Sequence, residues 1–324
     1  VSGRIDYESE MGDLRPSAKM IGHNDLVAAA VLTIFGLAAA GSACGGGPQK
    51  VKIERRTCLS PDGLEIVYSV AGQGEPMLVF IHGGLANRSF WDGQLAEFGI
   101  RHKTIALDLA GHGESGLDRK SWGIPEFGAD VKAVIDAEKA GKVILFGNSL
   151  GGPVAVEAAL LLPGRVLGVV GVDTFHLIDE VFTAEEVRER AELFEKDYAG
   201  ALKAMIGMLF HKDADPAVVS DSERRMAGTS PASAKAMFLG MAGYDMAAAV
   251  RRLEAPLWAI NGDLYPTDIA GNRKIKPDFE AVIMTHMGHY PMLERPAEFN
   301  RLVAEVISAL TKGNRPSRWS GKRL

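Results

Sequence analysis

In VILFGNSLGG, Val143 to Gly152, a serine stands between glycines directly after an apolar run. The run reads as a buried strand and GGPVAVEAALLL as the opening of a helix, so Ser149 falls on the turn between them. The tip residue of so tight a turn takes a strained backbone conformation, and side chains at Gly147 and Gly151 would collide with it. The hydroxyl is thereby lifted clear of the strand, while the Leu150 amide points into the same space from the helix N-terminus. A hydroxyl placed this way becomes a nucleophile once a base removes its proton.

His289, in MGHYPMLERPAEFN, follows one strand and precedes the last helix, where it can act as that base if the fold brings the two loops together. FIHGGLANRSFW supplies a second candidate donor for a developing oxyanion, the backbone N–H of Gly84. In the same loop His82 is expected to hold the turn by hydrogen bonds, and Trp91 to be a core residue. Asp108 and His112 of LDLAGHGES read as structural, and His23, His102, His176, His211 and His286 as surface or loop residues. The chemistry predicted is attack of Ser149 on an acyl carbonyl, with the Gly84 and Leu150 amides holding the negative oxygen. Water activated by His289 then releases the acyl-enzyme. No metal-ligand spacing such as HExxH is present, and neither a metal nor a cofactor is expected.

The elements that must position these groups are legible as short apolar stretches: LEIVYSVAG, MLVFIHGG, KTIALDLAG, KVILFGNS, VLGVVGVD, LWAING and AVIMTHMG. They alternate with helical segments, the pattern of a mostly parallel sheet covered by helices. Between Phe175 and Leu253 the strand signal stops and helical spacing takes over, as in Leu202, Met205, Ile206 and Leu209. This insertion is rich in Met and Phe, which suits helices packing on one another and also an apolar pocket wall. The chain of 324 residues carries a net charge of -5, which gives no electrostatic case for nucleic acid, and a small-molecule substrate is expected. The basic residues at the C-terminus, among them Lys322 and Arg323, read as a solvated tail.

The N-terminal region reads separately. An uncharged apolar run from Leu26 to Ala40 precedes small residues and Cys44, as in an export signal, and is too short for a comfortable membrane span. Cys44 followed by GGGPQ resembles the lipid-modified cysteine of bacterial lipoproteins, although Gly41 departs from that pattern. The expectation is an exported protein, periplasmic, secreted or lipid-anchored, with no transmembrane span in the mature chain. The alternatives are an uncleaved helix or a stretch upstream of the true start. Cys44 and Cys58 give no disulfide framework.

Taken together, the four motifs resemble the α/β-hydrolase fold family, in particular its capped esterase, epoxide hydrolase and dehalogenase branch, over roughly Val51 to Lys312. The resemblance implies an α/β fold with helices on both faces of the sheet and a helical cap. The expected organisation is an export or lipoprotein-type signal over 1–44, a linker over 45–50 and a basic tail over 313–324, read from their composition, around a core over 51–174 and 254–312 and a cap over 175–253. The resemblance also implies the chain order nucleophile, acid, histidine. Aspartate is the nucleophile of the resembling epoxide hydrolases and dehalogenases, so serine at 149 disfavours those reactions. For the acid, Asp173 matches the position used after the sixth core strand, while Asp263 and Asp268 lie near the other family position. Tyr265 occupies that other position itself. Glu294 reads as a cap for the last helix. The expected activity is hydrolysis of a small to medium apolar carboxylic ester. GNSLGG also resembles the elbow of C–C hydrolases that act on ring-fission diketones, and a ligand-binding homologue without turnover is the third possibility.

Overall fold

The computed structural model describes residues 51–312 and 320–323. The readings that concern the N-terminal apolar run and Cys44 lie outside these residues. Among the described residues nine strands form one sheet in the order β1-β2-β4-β3-β5-β6-β7-β8-β9. They are β1 (Ile53–Leu59), β2 (Glu65–Ala71), β3 (Met77–Ile81), β4 (Thr104–Leu107), β5 (Val143–Asn148), β6 (Val166–Val172), β7 (Leu257–Gly262), β8 (Glu280–Met284) and β9 (Ser320–Arg323). The pairs β1–β2 and β2–β4 are antiparallel, and every other neighbouring pair is parallel. Every residue of β3, β5 and β7 is buried, as continuous apolar strands between two helical layers must be.

Two strands differ from the sequence expectation. IERRTCL of β1 is mostly exposed and charged, so it carries no apolar signal. It is held instead by its hairpin with β2 and by Arg56, which binds Glu54 and Glu138, a suitable composition for a sheet edge. At the other edge, residues 320–323 of the expected tail pair with β8 as β9.

Helices α1 (Asp92–Phe98), α2 (Ile124–Ala137) and α3 (Gly151–Leu160) connect the first strands, and α9 (Ile269–Ile275), α10 (Pro291–Glu294) and α11 (Pro296–Lys312) complete the core. Phe80 on β3 stacks on Phe146 of β5 at 4.8 Å and meets Trp91 at 5.0 Å, and Trp91 meets Phe299 of α11 at 6.2 Å. Trp91 is therefore a core residue, fully buried.

Between β6 and β7 run α4 (Ala184–Lys196), α5 (Tyr198–Leu209), α6 (Pro216–Met226), α7 (Pro231–Gly240) and α8 (Met246–Arg252). Their starts are written in the sequence. Thr183 and Glu186 form a capping box, Asp215 and Ser230 cap helices whose first residue is proline, and Asp245 caps α8. Helix α4 packs on α7, with Phe194 and Phe238 at 5.1 Å. Helix α8 packs on α3 instead, and Tyr244 Oη donates to Glu157 Oε1 at 2.9 Å just before it.

Candidate active site

The turn from β5 to α3 has the strain its sequence predicts: Ser149 sits at φ 50°, in the left-handed region. A Cβ at Gly147 would lie 2.0 Å from the Gly151 carbonyl oxygen, and one at Gly151 would lie 2.5 Å from the Ile81 carbonyl oxygen. Both glycines are thus required by close backbone approach. Asn148, the last residue of β5, is fully buried and donates from Nδ2 to the carbonyls of Val172 at 2.9 Å and His289 at 3.0 Å. The chain bearing His289 is thereby tied to the residue preceding Ser149. Among the described residues no hydrogen bond joins Ser149 Oγ to His289, a contact that commonly tightens only with substrate bound.

The loop after β3 closes against the same turn. A Cβ at Gly83 would lie 2.9 Å from Asn148 Oδ1 and 3.0 Å from Ser149 Cβ, so a larger residue there would have to push the serine turn aside. His82 is fully buried, with Nδ1 2.7 Å from the Gly83 carbonyl and Nε2 accepting from Leu109 N–H at 3.0 Å. Burial pushes its pKa down to about 4, so the neutral ring holds the loop, as expected of it. Asp108 has the structural placement read from the sequence. It accepts from Arg88 N at 2.7 Å and Glu114 N at 2.9 Å, and pairs with the Arg88 guanidinium. The amides of Gly84 and Leu150 make no hydrogen bond among the described residues, Leu150 standing at the N-terminus of α3. Met237 of α7 borders Gly84 from the other side, its sulfur 3.0 Å from where a Cβ would be.

Three carboxylates were candidates for the partner of His289. Asp173 Oδ2 lies 2.5 Å from His289 Nδ1, while its Oδ1 accepts Gly262 N–H at 2.8 Å and faces His176 Nε2 at 3.6 Å. Its burial opposes ionisation, but His176 and His289 outweigh that and hold its carboxyl below the usual range. With Nδ1 donating to this carboxylate, His289 Nε2 keeps the lone pair a general base needs. Asp263 accepts Met287 N–H at 3.1 Å, and Asp268 caps α9 through Gly271 N–H at 2.9 Å. Neither reaches the imidazole by a hydrogen bond among the described residues.

Two placements differ from expectation. Glu294 does not cap α11: its carboxylate accepts from Gly288 N at 3.2 Å and Tyr290 N at 3.0 Å, bracketing His289. His176 is a loop residue, but one turned toward Asp173 and held through Nδ1 by Thr267 Oγ1 at 3.0 Å. His176 is turned by Thr267, which arrives from beyond β7, whereas the partners of Glu294 lie only four and six residues upstream and its carboxylate folds back onto its own loop. The insertion also holds the loop, since His289 N donates to the Leu209 carbonyl at 2.7 Å and Thr229 Oγ1 donates to the Leu85 carbonyl at 3.0 Å.

The sequence profile of the Alpha/beta hydrolase family matches residues 78–302, which include the elbow, the glycine loop and His289. The chain belongs to the alpha/beta hydrolase family. This hydrolase-family chain is 30% identical over 143 residues to epoxide hydrolase 4 of Mus musculus, an overlap of 43% of this chain and 39% of that protein. It thus spans well under two thirds of that relative's length. It is 28% identical over 253 residues to 2-(acetamidomethylene)succinate hydrolase of Mesorhizobium japonicum, covering 72% of this chain and 88% of that one. Among solved structures, a thermophilic esterase from Thermogutta terrifontis superposes with a TM-score of 0.72 at 23% identity, covering 79% of this chain and 99% of that one. No helix among the described residues is long and apolar enough to cross a membrane.

Proposed function

We propose that this α/β-hydrolase family member is a serine hydrolase that cleaves a small to medium apolar carboxylic ester. Ser149 is its nucleophile, His289 its general base and Asp173 the acid that orients the base. The observation that carries the reading is the pairing of His289 Nδ1 with the buried Asp173 carboxylate, on a loop that Asn148 ties to the strained serine turn. In the reaction His289 Nε2 takes the Ser149 proton as Oγ attacks the ester carbonyl. The Gly84 and Leu150 amides receive the oxyanion, and the alcohol leaves with the proton from the imidazolium. Water, deprotonated by the same imidazole, then frees the acid. Met237 sets an apolar side chain next to Gly84, the proposed oxyanion donor, which is in keeping with an apolar substrate. A serine nucleophile also separates this chain from epoxide opening by a carboxylate. Assay against p-nitrophenyl esters of increasing chain length tests the reading, the expected result being turnover with a product burst. Turnover of a vinylogous diketone without esterase activity would replace it with C–C bond hydrolysis, and tight binding of esters with no burst would make the protein a receptor. We also propose export for the chain, motivated by the apolar run before Cys44. Cell fractionation tests it, and a purely cytoplasmic pool would contradict it.

A further inference from the structure

A second cluster of chemistry-bearing side chains lies outside the proposed catalytic set, where the insertion meets the loop after β8. His211 and Asp213 follow α5, and His286 stands on that loop. One ligand atom from each lies within 4.8 Å of the others. His211 Nδ1 is 3.4 Å from Asp213 Oδ2, and the His211 and His286 rings meet at 5.5 Å and 87°. Two ligands on one tetrahedral ion with bonds of about 2.0–2.1 Å are separated by about 3.3 Å, close to the His211–Asp213 span, and an ion bound there would take the place of the Asp213 N–H that donates to His211 Nδ1 at 3.3 Å. Closing the two edges to His286 takes a shift of at most about 1.5 Å, within reach of an exposed imidazole turning about χ1 and χ2. Asp213 and His286 are exposed and His211 is half-buried, so an ion can enter from solvent.

We propose that His211, Asp213 and His286 bind a divalent first-row transition ion, zinc being the one whose geometry and ligand preference suit two imidazoles and one carboxylate. The donor set is wrong for calcium or magnesium, which take oxygen ligands. Three protein ligands leave one coordination position to water. Asp263 holds the loop that carries His286, accepting the N–H groups of His286 and Met287. The bound ion would join the insertion to the core beside the hydrogen bond from His289 N to the Leu209 carbonyl, and so brace the loop that presents His289.

The test is zinc titration of the metal-stripped full chain, followed by calorimetry and by the shift in melting temperature, neither of which depends on the esterase reading. The expected result is one ion per chain and a raised melting temperature. Affinity should fall by more than about 100-fold in His286→Ala and in the exposed-site variant Asp213→Asn, while magnesium at the same concentration gives no shift. The metal-free melting temperature of Asp213→Asn should match that of wild type, so that its loss of zinc reports ligation alone. No saturable zinc binding, or binding that survives in both variants, would overturn the proposal.

Discussion

The buried side-chain amide of Asn148 donates to the main-chain carbonyl of His289 at 3.0 Å, so the end of β5 grips the loop that follows β8. Its other hydrogen bond, to Val172 at 2.9 Å, grips the end of β6, one residue before Asp173. One amide therefore sets the relative positions of the segments carrying Ser149, Asp173 and His289. Asn148→Ala leaves two inward carbonyls without this donor and is expected to lower stability by about 1–3 kcal/mol. It should also reduce kcat by more than it changes KM, because the parts it holds are the proposed reacting groups. Urea melts and ester kinetics check this, and unchanged kcat in a destabilised variant would contradict the positioning role.

Asp173→Asn should lower kcat for esters by about 10³–10⁴-fold, since an amide in place of the carboxylate no longer stabilises the imidazolium or selects its tautomer. Asp263→Asn, which alters only a support of the loop, should cost about tenfold or less. Steady-state kinetics on both variants decide between the two carboxylates, and a larger loss at Asp263 would reassign the acid.

The choice between those aspartates illustrates which parts were legible in the sequence. Ser149 and its glycines form a local device, with a strand, a steric requirement and a helix start all within ten residues, so type and position could be read directly. His289 was readable by its place between the last apolar strand and the last helix. The acid was not, because its pairing depends on β6 lying beside β7, which brings Asp173 next to Gly262. Glu294 differs for a local reason: a carboxylate just before α11 can turn forward to the helix or back to its own loop, and it turns back, onto the amides of Gly288 and Tyr290. The edge strand β1 escaped notice because its charged residues face solvent and its pairing, not its hydrophobicity, makes it a strand. Helix α8 is helical as expected from its spacing, yet packs on α3, a matter of tertiary contact that periodicity does not encode.

Acid should reveal the two buried loop histidines. Burial pushes His82 down to about 4 and His112 to about 3, whereas an imidazole in the unfolded chain titrates near 6.5. Between those values the unfolded chain binds the extra proton, so each group's contribution to stability is full above about pH 6.5 and is lost as pH falls toward about 4 for His82 and about 3 for His112. The stability of wild type relative to His112→Gln is therefore expected to fall with acid across that window, by at most about 1.4 kcal/mol per pH unit. Denaturant melts at several pH values check this, and a pH-independent difference would contradict it.

The central claim is that Ser149 is an activated nucleophile served by His289. Reaction of the folded protein with a fluorophosphonate probe, read by intact mass, tests it most directly. The account predicts one covalent adduct on wild type, none on Ser149→Ala, and labelling slowed by at least about 10³-fold in His289→Ala. Equal labelling of wild type and Ser149→Ala would contradict it.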